Sequence, residues 1–433
     1  MRNHRDLETS GLPTASVVTL NWNGLVHLEP CYESLRKLDY PRDKLELLLV
    51  DNGSRDGSVE FVQQRFPEVK IIQNSTNLGF ARANNIGARQ ARGRYVAFLN
   101  NDTRVHPAWL KELVAAVEPD LEAVCAASKI LTWDGDSIDF AGGSMNFHGV
   151  GFQPGSGSPD IDAFSEPRDL LFACGGSMLI DREVFLDCGG FDEDFFIYYE
   201  DVDLGWRLWV LGYKVIFAPR AITYHRLHGD TSGMQNEKRV SITERNTLLA
   251  VIKNYDDENL ARVLPAALLL MMERAFLLAD TDSQRYKLDA GYRAGGGPDL
   301  SSGRDGQEKR EGTQSLIQRH GLWNTVRRAT RKAWRLGCRR FIIRFNEQLE
   351  AVPRPSIGPL VAAHDVIQLL PSAMAKRSEI QRRRKRSDAD ILPLFRQPFH
   401  PGLRQDLYAQ AQSRVTEAFG IPGMFDVDPN VGE

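Results

Sequence analysis

Between residues 15 and 129, short apolar runs alternate with stretches of helical periodicity. Four runs are almost continuously apolar: 16–20, 45–50, 69–72 and 95–99. Such runs are typical of parallel strands that are covered on both faces. Three stretches have helical spacing: 25–38, 57–66 and 81–91. The alternation predicts an α/β fold with a right-handed, doubly wound and mostly parallel sheet.

The pattern changes after this region. Residues 133–167 are rich in Gly, Ser, Pro and Asp, which predicts a long surface excursion rather than another sheet unit. Helical spacing returns at 203–211, with Gly212 as the expected C-cap, and again at 242–279. The predicted divisions are a tail (1–14), an α/β domain (15–255, with halves 15–130 and 131–255), a helical region (256–293), a flexible loop (294–312) and a basic, mainly helical region (313–433).

Composition excludes several classes of protein. The 433 residues are 42% hydrophobic and 26% charged, too apolar for a disordered tail, and the mean hydropathy of −0.35 is too low for a bilayer protein. A net charge of −3 and a pI near 6.3 argue against nucleic acid as a partner. The five scattered cysteines disfavour a disulfide framework and a zinc knuckle, and no secretory signal is seen, so we expect a cytoplasmic protein.

One segment has a strongly basic character. Residues 312–346 contain nine Lys or Arg and no Asp or Glu, with Trp334, Cys338, Phe341 and Phe345 at helical spacing. A basic amphipathic helix is typical of peripheral membrane contact, here at the inner face of the membrane. The alternative is that its apolar side packs on the rest of the protein. The run at 382–386 (RRRKR) is interpreted as a solvated charge run.

Polar side chains follow three of the predicted strands. They are Asn21 and Asn23, Asp51 and Asn52, and Asn100 to Asp102. In open α/β sheets ligands bind at this edge, where Asp51 could accept hydrogen bonds from a nucleotide and Asp102 could ligate Mg²⁺ or Mn²⁺. The alternative for both aspartates is an ordinary turn.

Two further patterns are chemically suggestive. The run 192–203 (DEDFFIYYEDVD) has more carboxylates than a helix cap requires, which favours a metal or a basic partner for one of them. Capping remains the alternative. His225 follows a strand-like run and is either a metal ligand or a structural histidine.

Together these patterns resemble glycosyltransferase family 2, in particular its rhamnosyltransferase-like members with the GT-A fold. The resemblance covers about residues 15–255. It rests on motifs that occur in the family's order: NWNG at 21–24, VDNGSRDGS at 50–58, NLGFARANNIG at 77–87, LNNDT at 99–103, CGGSMLIDREVF at 174–185, GGFDEDFFIYYEDVDLGWRL at 189–208 and the histidine at 225.

The resemblance implies a role for individual residues. Asp51 corresponds to the base-contacting aspartate, Asp201 to the catalytic base, and Asp102 with His225 to the metal site for Mg²⁺ or Mn²⁺. The first acid of the family's metal motif is Asn100 here, so one carboxylate remains. The predicted donor-binding residues are Asn21, Asn23, Asp51, Asn52, Asn77, Asn84, Asn101 and Asp102. The predicted acceptor-binding residues are Gly175, Gly176, Tyr199, Glu200 and Trp206, with core packing as the favoured alternative for Trp206.

The implied activity is an inverting, metal-dependent transfer of a sugar in surface polysaccharide synthesis. The expected donor is dTDP- or UDP-linked, with rhamnose as one choice, and the expected acceptor is a saccharide or a lipid-diphosphate-linked saccharide. A homo-oligomer is left open. A catalytically silent nucleotide-sugar-binding scaffold is the alternative, because of Asn100. A nicotinamide oxidoreductase is disfavoured, since no GxGxxG motif follows the first strand.

Overall fold

The computed structural model describes residues 11–226, 236–279, 354–403 and 405–425. Its strands are β1 (Ala15–Asn21), β2 (Leu45–Asp51), β3 (Lys70–Gln73), β4 (Tyr95–Asn100), β5 (Thr103–Val105), β6 (Ala123–Thr132), β7 (Ile138–Phe140), β8 (Ser144–Met145), β9 (Gly151–Phe152), β10 (Arg168–Leu170), β11 (Ser177–Asp181) and β12 (Lys214–His225).

The helices alternate with the strands in the first part of the chain and follow them in the second. They are α1 (Leu25–Leu35), α2 (Ser58–Arg65), α3 (Phe80–Gln90), α4 (Trp109–Val117), α5 (Arg182–Asp187), α6 (Glu200–Val210), α7 (Asn236–Asn254), α8 (Asp257–Leu278), α9 (Arg354–Arg382), α10 (Asp388–Ile391) and α11 (Asp406–Ala418). No helix within the described ranges is both long enough and apolar enough to cross a membrane.

The main sheet has the strand order β10-β12-β6-β11-β4-β1-β2-β3, with β5 paired to β12 and β7 to β6. Strands β1 to β4 run parallel and β12 runs parallel to β6, whereas β10 and β11 are antiparallel to their neighbours. Strands β8 and β9 form a separate small sheet. The predicted α/β architecture, with a mostly parallel sheet followed by helices, is confirmed.

Alternate residues of the central strands enter different cores. Val18 and Leu48 belong to one buried cluster, while Val17 and Leu47 belong to another on the opposite face of the sheet. Because both faces are covered, the strands need apolar residues at every position, which is why they read as continuous apolar runs.

Strand register brings the predicted polar residues to one edge. Asn21 at the end of β1 lies opposite Asp51 at the end of β2, and Leu20 lies opposite Asn100 at the end of β4. Strand β11 is antiparallel to β4, so its first residue, Ser177, lies opposite Leu99. The turn before β11 therefore meets the carboxyl ends of the parallel strands.

The prediction of a surface excursion over residues 133–167 is wrong for residues 138–149, which are mostly buried, and is confirmed for residues 153–167, which are half-buried or exposed and form no strand or helix. Strand β7 joins the main sheet, and Met145, Phe147 and His148 are buried. Their cover comes from a distant part of the chain, because the N–H of Phe147 donates to the carbonyl of Pro398 over 2.9 Å. Local composition carries no record of such a partner.

Helix α6 begins three residues before the predicted start. Glu200 and Asp201 consequently lie in its first turn, where the helix dipole favours negative charge. At the other end, Gly212 has φ +92° and its N–H donates to the carbonyl of Trp209, as expected of a residue that ends the helix.

The C-terminal helices pack against α7. Leu248 and Ile252 of α7 share a buried cluster with Ala362, Val366 and Ala373 of α9. The helical region predicted at 242–279 is two helices, separated at Tyr255 and Asp256.

The basic run at 382–386 is not the solvated charge run predicted. Arg386 Nη2 lies 2.8 Å from Glu122 Oε2, and Arg384 Nη1 lies 2.9 Å from Asp388 Oδ1. Arg383 pairs with Asp187. The pairs of Arg386 with Glu122 and of Arg383 with Asp187 attach the chain after α9 to the sheet domain, whereas Arg384 pairs locally with Asp388 of α10. The flexible loop predicted at 294–312 and the basic helix predicted within 312–346 lie outside the described residues.

Candidate active site

A chain of hydrogen bonds crosses the edge where β2, β1 and β4 end. Asp51 Oδ1 accepts from Asn21 Nδ2 over 3.2 Å, and Asn21 Oδ1 accepts from Asn101 Nδ2 over 2.7 Å. Asp51 Oδ2 accepts from the N–H groups of Gly53 and Ser54 over 3.2 and 3.0 Å. Asp51 therefore forms the local turn and is also fixed in position at the edge of the sheet.

A cavity of about 500 Å³ opens beside this turn. Its lining residues are Asp51, Gly53, Ser54, Arg55, Gly57, Ser58, Val59, Glu60, Gln73, Asn74 and Ser75. Asn23 shapes the adjoining loop, because its Oδ1 accepts from the N–H of Arg55 over 2.8 Å. The predicted donor residues Asp51 and Asn23 thus lie at or beside a cavity with a mainly polar wall.

Other predicted donor residues hold the loop before α3. Asn52 Nδ2 donates to Asn77 Oδ1 over 2.9 Å, and Asn52 Oδ1 accepts from the N–H of Leu78 over 3.0 Å. Asn84 Nδ2 donates to the carbonyl of Phe80 over 3.1 Å, within the first turns of α3. The amides of Asn52, Asn77 and Asn84 are thus hydrogen-bonded within the protein, and contact with a donor stays a prediction for them.

Asp102, His225 and Asp139 form a carboxylate–imidazole–carboxylate row. His225 Nε2 lies 3.3 Å from Asp102 Oδ2, and its Nδ1 lies 2.7 Å from Asp139 Oδ2. Burial lowers the pKa of His225, but the hydrogen bonds to the two carboxylates outweigh it and raise the pKa to about 10. Asp139 was missed by sequence reasoning because it lies in the segment predicted to be a surface excursion.

Asp102 is the member of this row with an unused oxygen. Asp102 Oδ1 is buried and has no hydrogen-bond partner among the described residues, so one carboxylate oxygen is unused by the protein. In the described part of the chain, no group of three or more His, Cys, Asp or Glu is arranged to hold a metal ion. A cation would therefore have Asp102 and His225 as protein ligands, and Mg²⁺ or Mn²⁺ commonly completes such a shell with phosphate and water.

Asp201 lies in the first turn of α6 and is fixed by two backbone groups. Its Oδ2 accepts from the N–H of Gly175 and its Oδ1 from the N–H of Val202, each over 2.8 Å. Burial raises the pKa of Asp201, although these hydrogen bonds oppose the shift. A carboxylate with a raised pKa is a stronger base than an ordinary aspartate, which suits it to accept a proton.

Glu200 is the buried neighbour of Asp201. Burial, and then the charge of Asp201, raise the pKa of Glu200 well above its ordinary range. Its Oε2 is buried and has no partner among the described residues. Burial and the charge of Asp201 therefore both favour the protonated form of Glu200.

A second cavity of about 500 Å³ has both of these carboxyl groups in its wall. Its lining residues are Gly151, Phe152, Gln153, Ser156, Phe172, Tyr198, Tyr199, Glu200, Asp201, Val202, Arg239 and Thr243. Tyr199 is fixed there because its hydroxyl accepts from the N–H of Gly151 over 2.9 Å. The predicted acceptor residues Tyr199 and Glu200 and the predicted base thus share one cavity.

The turn at Gly175 and Gly176 joins this cavity to the strand that precedes Asp102. The N–H of Asn100 donates to the carbonyl of Gly176 over 2.9 Å, while Gly175 contacts Asp201. A Cβ on Gly176 would lie 3.0 Å from Asn100 Nδ2, so the close approach favours glycine. Asp102 and His225 are not among the residues that line the second cavity.

Trp206 is not an acceptor-binding residue, and that prediction is wrong. Its side chain is 1% exposed and packs edge-on against Tyr255 and Phe395, with ring centroids 4.7 and 5.2 Å away. It lies in the core between α6 and the C-terminal segments, where an acceptor has no access. An indole is equally suited to a core and to a sugar-binding surface, and the sequence does not distinguish the two.

Other acids of the run 192–203 have internal basic partners, as one of the interpretations predicted. Lys253 Nζ lies 2.5 Å from Asp192 Oδ2 and 2.9 Å from Asp203 Oδ1, and Arg207 Nη2 lies 3.0 Å from Asp203 Oδ2. Lys376 also pairs with Asp192. Sequence reasoning missed Lys253, although a single lysine after the apolar run 248–252 was a usable signal.

Comparison with known proteins identifies similar chains. Residues 16–189 match the family model described as Glycosyl transferase family 2. The chain is 30% identical over 142 residues to glycosyltransferase AglE of Haloferax volcanii, covering 32% of this chain and 41% of that protein. It is 28% identical over 235 residues to N-acetylglucosaminyl-diphospho-decaprenol L-rhamnosyltransferase of Mycobacterium tuberculosis, covering 49% of this chain and 76% of that protein.

Among solved structures, the crystal structure of GalNAc-T7 with UDP, GalNAc and Mn²⁺ matches with a TM-score of 0.49 and 22% identity. The match covers 66% of this chain and 56% of that one. The chain spans 41% and 26% of the length of the first two curated relatives that it matches.

Proposed function

We propose that the chain is an inverting, metal-dependent glycosyltransferase of family 2, since residues 16–189 match the model of that family and the fold has a mostly parallel α/β sheet. It moves a sugar from a nucleotide sugar to a saccharide or lipid-linked saccharide. The observation that carries the proposal is Asp201, a half-buried carboxylate with a raised pKa in the wall of a cavity, held by Gly175 beside the end of β4.

The proposed reaction is a single displacement. Asp201 takes the proton of the acceptor hydroxyl as the hydroxyl oxygen forms its bond to the anomeric carbon. The bond from that carbon to the diphosphate oxygen breaks on the opposite face, and the electron pair leaves with the nucleoside diphosphate. Attack from the face opposite the leaving group inverts the anomeric configuration. A bound Mg²⁺ or Mn²⁺ supplies charge stabilisation for the departing diphosphate.

The residues divide into three roles. Asp51, supported by Asn21, accepts hydrogen bonds from the nucleotide in the first cavity. Asp102 and His225 hold the metal, with Asp139 fixing the imidazole through Nδ1, a usual arrangement for a metal-binding histidine. Tyr199 and Glu200 face the acceptor in the second cavity.

The proposed substrates are more specific than the family as a whole implies. The 28% identical relative from Mycobacterium tuberculosis is named N-acetylglucosaminyl-diphospho-decaprenol L-rhamnosyltransferase. This name supports rhamnose as the sugar and a lipid-diphosphate-linked saccharide as the acceptor. A dTDP- or UDP-linked donor fits this assignment. We extend the proposal to the synthesis of surface polysaccharide, at the inner face of the cell membrane.

The proposal is tested with a panel of nucleotide sugars that includes dTDP-rhamnose and UDP-GlcNAc, with Mn²⁺ or with EDTA. We expect one donor to bind in Mn²⁺ and to release its nucleoside diphosphate slowly without an acceptor and faster with a matching one. The Asp102→Asn variant should lose at least about tenfold in donor affinity in Mn²⁺, because it removes a metal ligand. In EDTA the variant and the wild type should bind the donor equally.

Two outcomes would contradict the proposal. Tight donor binding without turnover for every acceptor tried would favour the silent scaffold, for which Asn100 is the supporting residue. Equal donor affinity of wild type and Asp102→Asn across a Mn²⁺ titration would remove Asp102 from the metal site.

A further inference from the structure

The segment that leads into the first turn of α6 has an unusual backbone. Phe196, Tyr198 and Tyr199 have φ values of +64°, +67° and +68°. Residues other than glycine rarely adopt this left-handed conformation. They keep it only where the surrounding structure fixes them. Three such residues within four positions therefore require specific contacts to hold them.

Asn246 of α7 supplies those contacts. It is fully buried, and its Nδ2 lies 3.0 Å from the carbonyl oxygen of Phe195, 3.0 Å from that of Ile197 and 2.6 Å from that of Tyr198. Its Oδ1 accepts from Arg245 Nε over 2.9 Å. One amide thus contacts the carbonyl groups that directly precede Phe196, Tyr198 and Tyr199 in the chain.

Other bonds tie the same segment to its neighbours. Arg245 Nη2 donates to the carbonyl of Phe195 over 2.9 Å. The carbonyl of Phe196 accepts from the N–H of Phe80, at the start of α3, over 2.6 Å. The segment therefore lies between the loop that Asn52 holds and the helix that carries Asp201.

We propose that Asn246 is a positioning residue for Asp201, acting through the backbone of residues 195–199. Tyr199 is the N-cap of α6, and its carbonyl accepts from the N–H of Asp203 over 2.9 Å. The conformation of Tyr198 and Tyr199 consequently sets where the first turn of α6 begins. Asn246 itself lies behind the segment and does not line the acceptor cavity. The inference rests on the proposed role of Asp201 as the base.

The test compares Asn246→Ala with Asn254→Ala. Asn254 is a matched control, because it is another fully buried amide of α7 that bonds to α6, through Asp203 Oδ1 over 2.9 Å, away from the left-handed residues. Asn246→Ala should lower kcat for donor hydrolysis and transfer by about 100-fold, as a misplaced catalytic group does. Nucleotide affinity should stay within about twofold, since binding energy for the nucleotide is not lost.

For Asn254→Ala we expect kcat within about threefold of wild type, even if its melting temperature falls as much as that of Asn246→Ala. Equal kcat losses in the two variants would reduce Asn246 to a general stabilising residue and overturn the proposal. Should Asn246→Ala fail to fold, Arg245→Lys, which removes the bond to Phe195, should show a smaller kcat loss of the same kind.

Hydrogen exchange separates this inference from the proposed function, because it needs no substrate. In Asn246→Ala the amides of residues 196–203 should exchange at least about tenfold faster, while those of α4 and β6 do not change. Unchanged exchange at 196–203 would overturn the positioning role even if the enzyme is active. Faster exchange in a protein that turns over no donor would contradict the proposed function alone.

Discussion

Two pairs of acids in the run 192–203 have opposite surroundings. Asp192 and Asp203 are buried against Lys253, which lies within 2.5 and 2.9 Å of them. Glu200 and Asp201 line a cavity, and burial raises the pKa of each. Buried cations stabilise the charged form of the first pair, whereas burial favours the protonated form of the second pair.

This difference shows that one cluster of carboxylates in the sequence divides into two pairs with different surroundings in the fold. The motif alone suggests one site. Lys253, about fifty residues later on α7, distinguishes the two pairs, because a nearby cation stabilises the charged form of a buried carboxylate, whereas burial without a cation raises its pKa. Identical substitutions in the two pairs should therefore have different effects.

The largest expected effect is on catalysis by Asp201→Asn. Transfer and donor hydrolysis should fall by about 10³-fold, since a positioned general base contributes on this scale. Nucleotide affinity and the melting temperature should change little, because the amide keeps the shape of the side chain. Steady-state kinetics and calorimetric titration measure both, and a variant that keeps more than about a tenth of the wild-type rate would rule out Asp201 as the base.

The same change two positions along, Asp203→Asn, should act on stability instead. Removing one charge from the buried group that includes Lys253 and Arg207 should lower the free energy of unfolding by about 3 kcal/mol. Denaturant unfolding followed by fluorescence gives the value. The folded variant should retain most of its turnover, and a large loss of rate at unchanged stability would merge the two pairs into one site.

The smallest effect should be a pH-dependent gain in stability from Glu200→Gln. The pKa of Glu200 is raised in the folded protein, so its contribution to stability is complete below the ordinary glutamate pKa and is lost as pH rises through the raised value. Glutamine needs no proton. The variant should match wild type near pH 4 and melt roughly 2–4 °C higher near pH 8.

The contribution of Asp192 to stability has the opposite dependence on pH. Burial would raise its pKa, but Lys253 and Lys376 hold the pKa of Asp192 well below its ordinary range. Its contribution is therefore present above the ordinary aspartate pKa and is lost as pH falls below it.

A melting-temperature difference between Glu200→Gln and wild type that is constant from pH 4 to pH 8 would show that Glu200 does not hold a proton in the fold.

The sheet and the polar residues at its edge were predictable from the sequence. Asn21, Asp51 and Asn101 meet because parallel strands end at the same edge, and the structure joins them by hydrogen bonds. Asp102 and His225, which are far apart along the chain, were associated through the family resemblance, and they lie 3.3 Å apart.

The partners of the candidate site were not predictable in the same way. Asp139 pairs with His225 from a segment whose composition is typical of a loop, and Asn246 reaches residues 195–198 from a helix about fifty positions later. Trp206 has the chemistry of a sugar-binding residue and the position of a core residue.

The sequence by itself determined the order of strands and helices and the edge of the sheet at which the polar residues meet, and its motifs resemble those of glycosyltransferase family 2. These properties follow from local periodicity and short motifs, which are recognisable from residues that lie close together in the sequence. Only the tertiary structure decided which acids face a cation, which aromatic residue is buried and where the basic run at 382–386 attaches. Those outcomes depend on side chains that meet across the fold, and the free energy of a buried charge or ring is set by such distant neighbours.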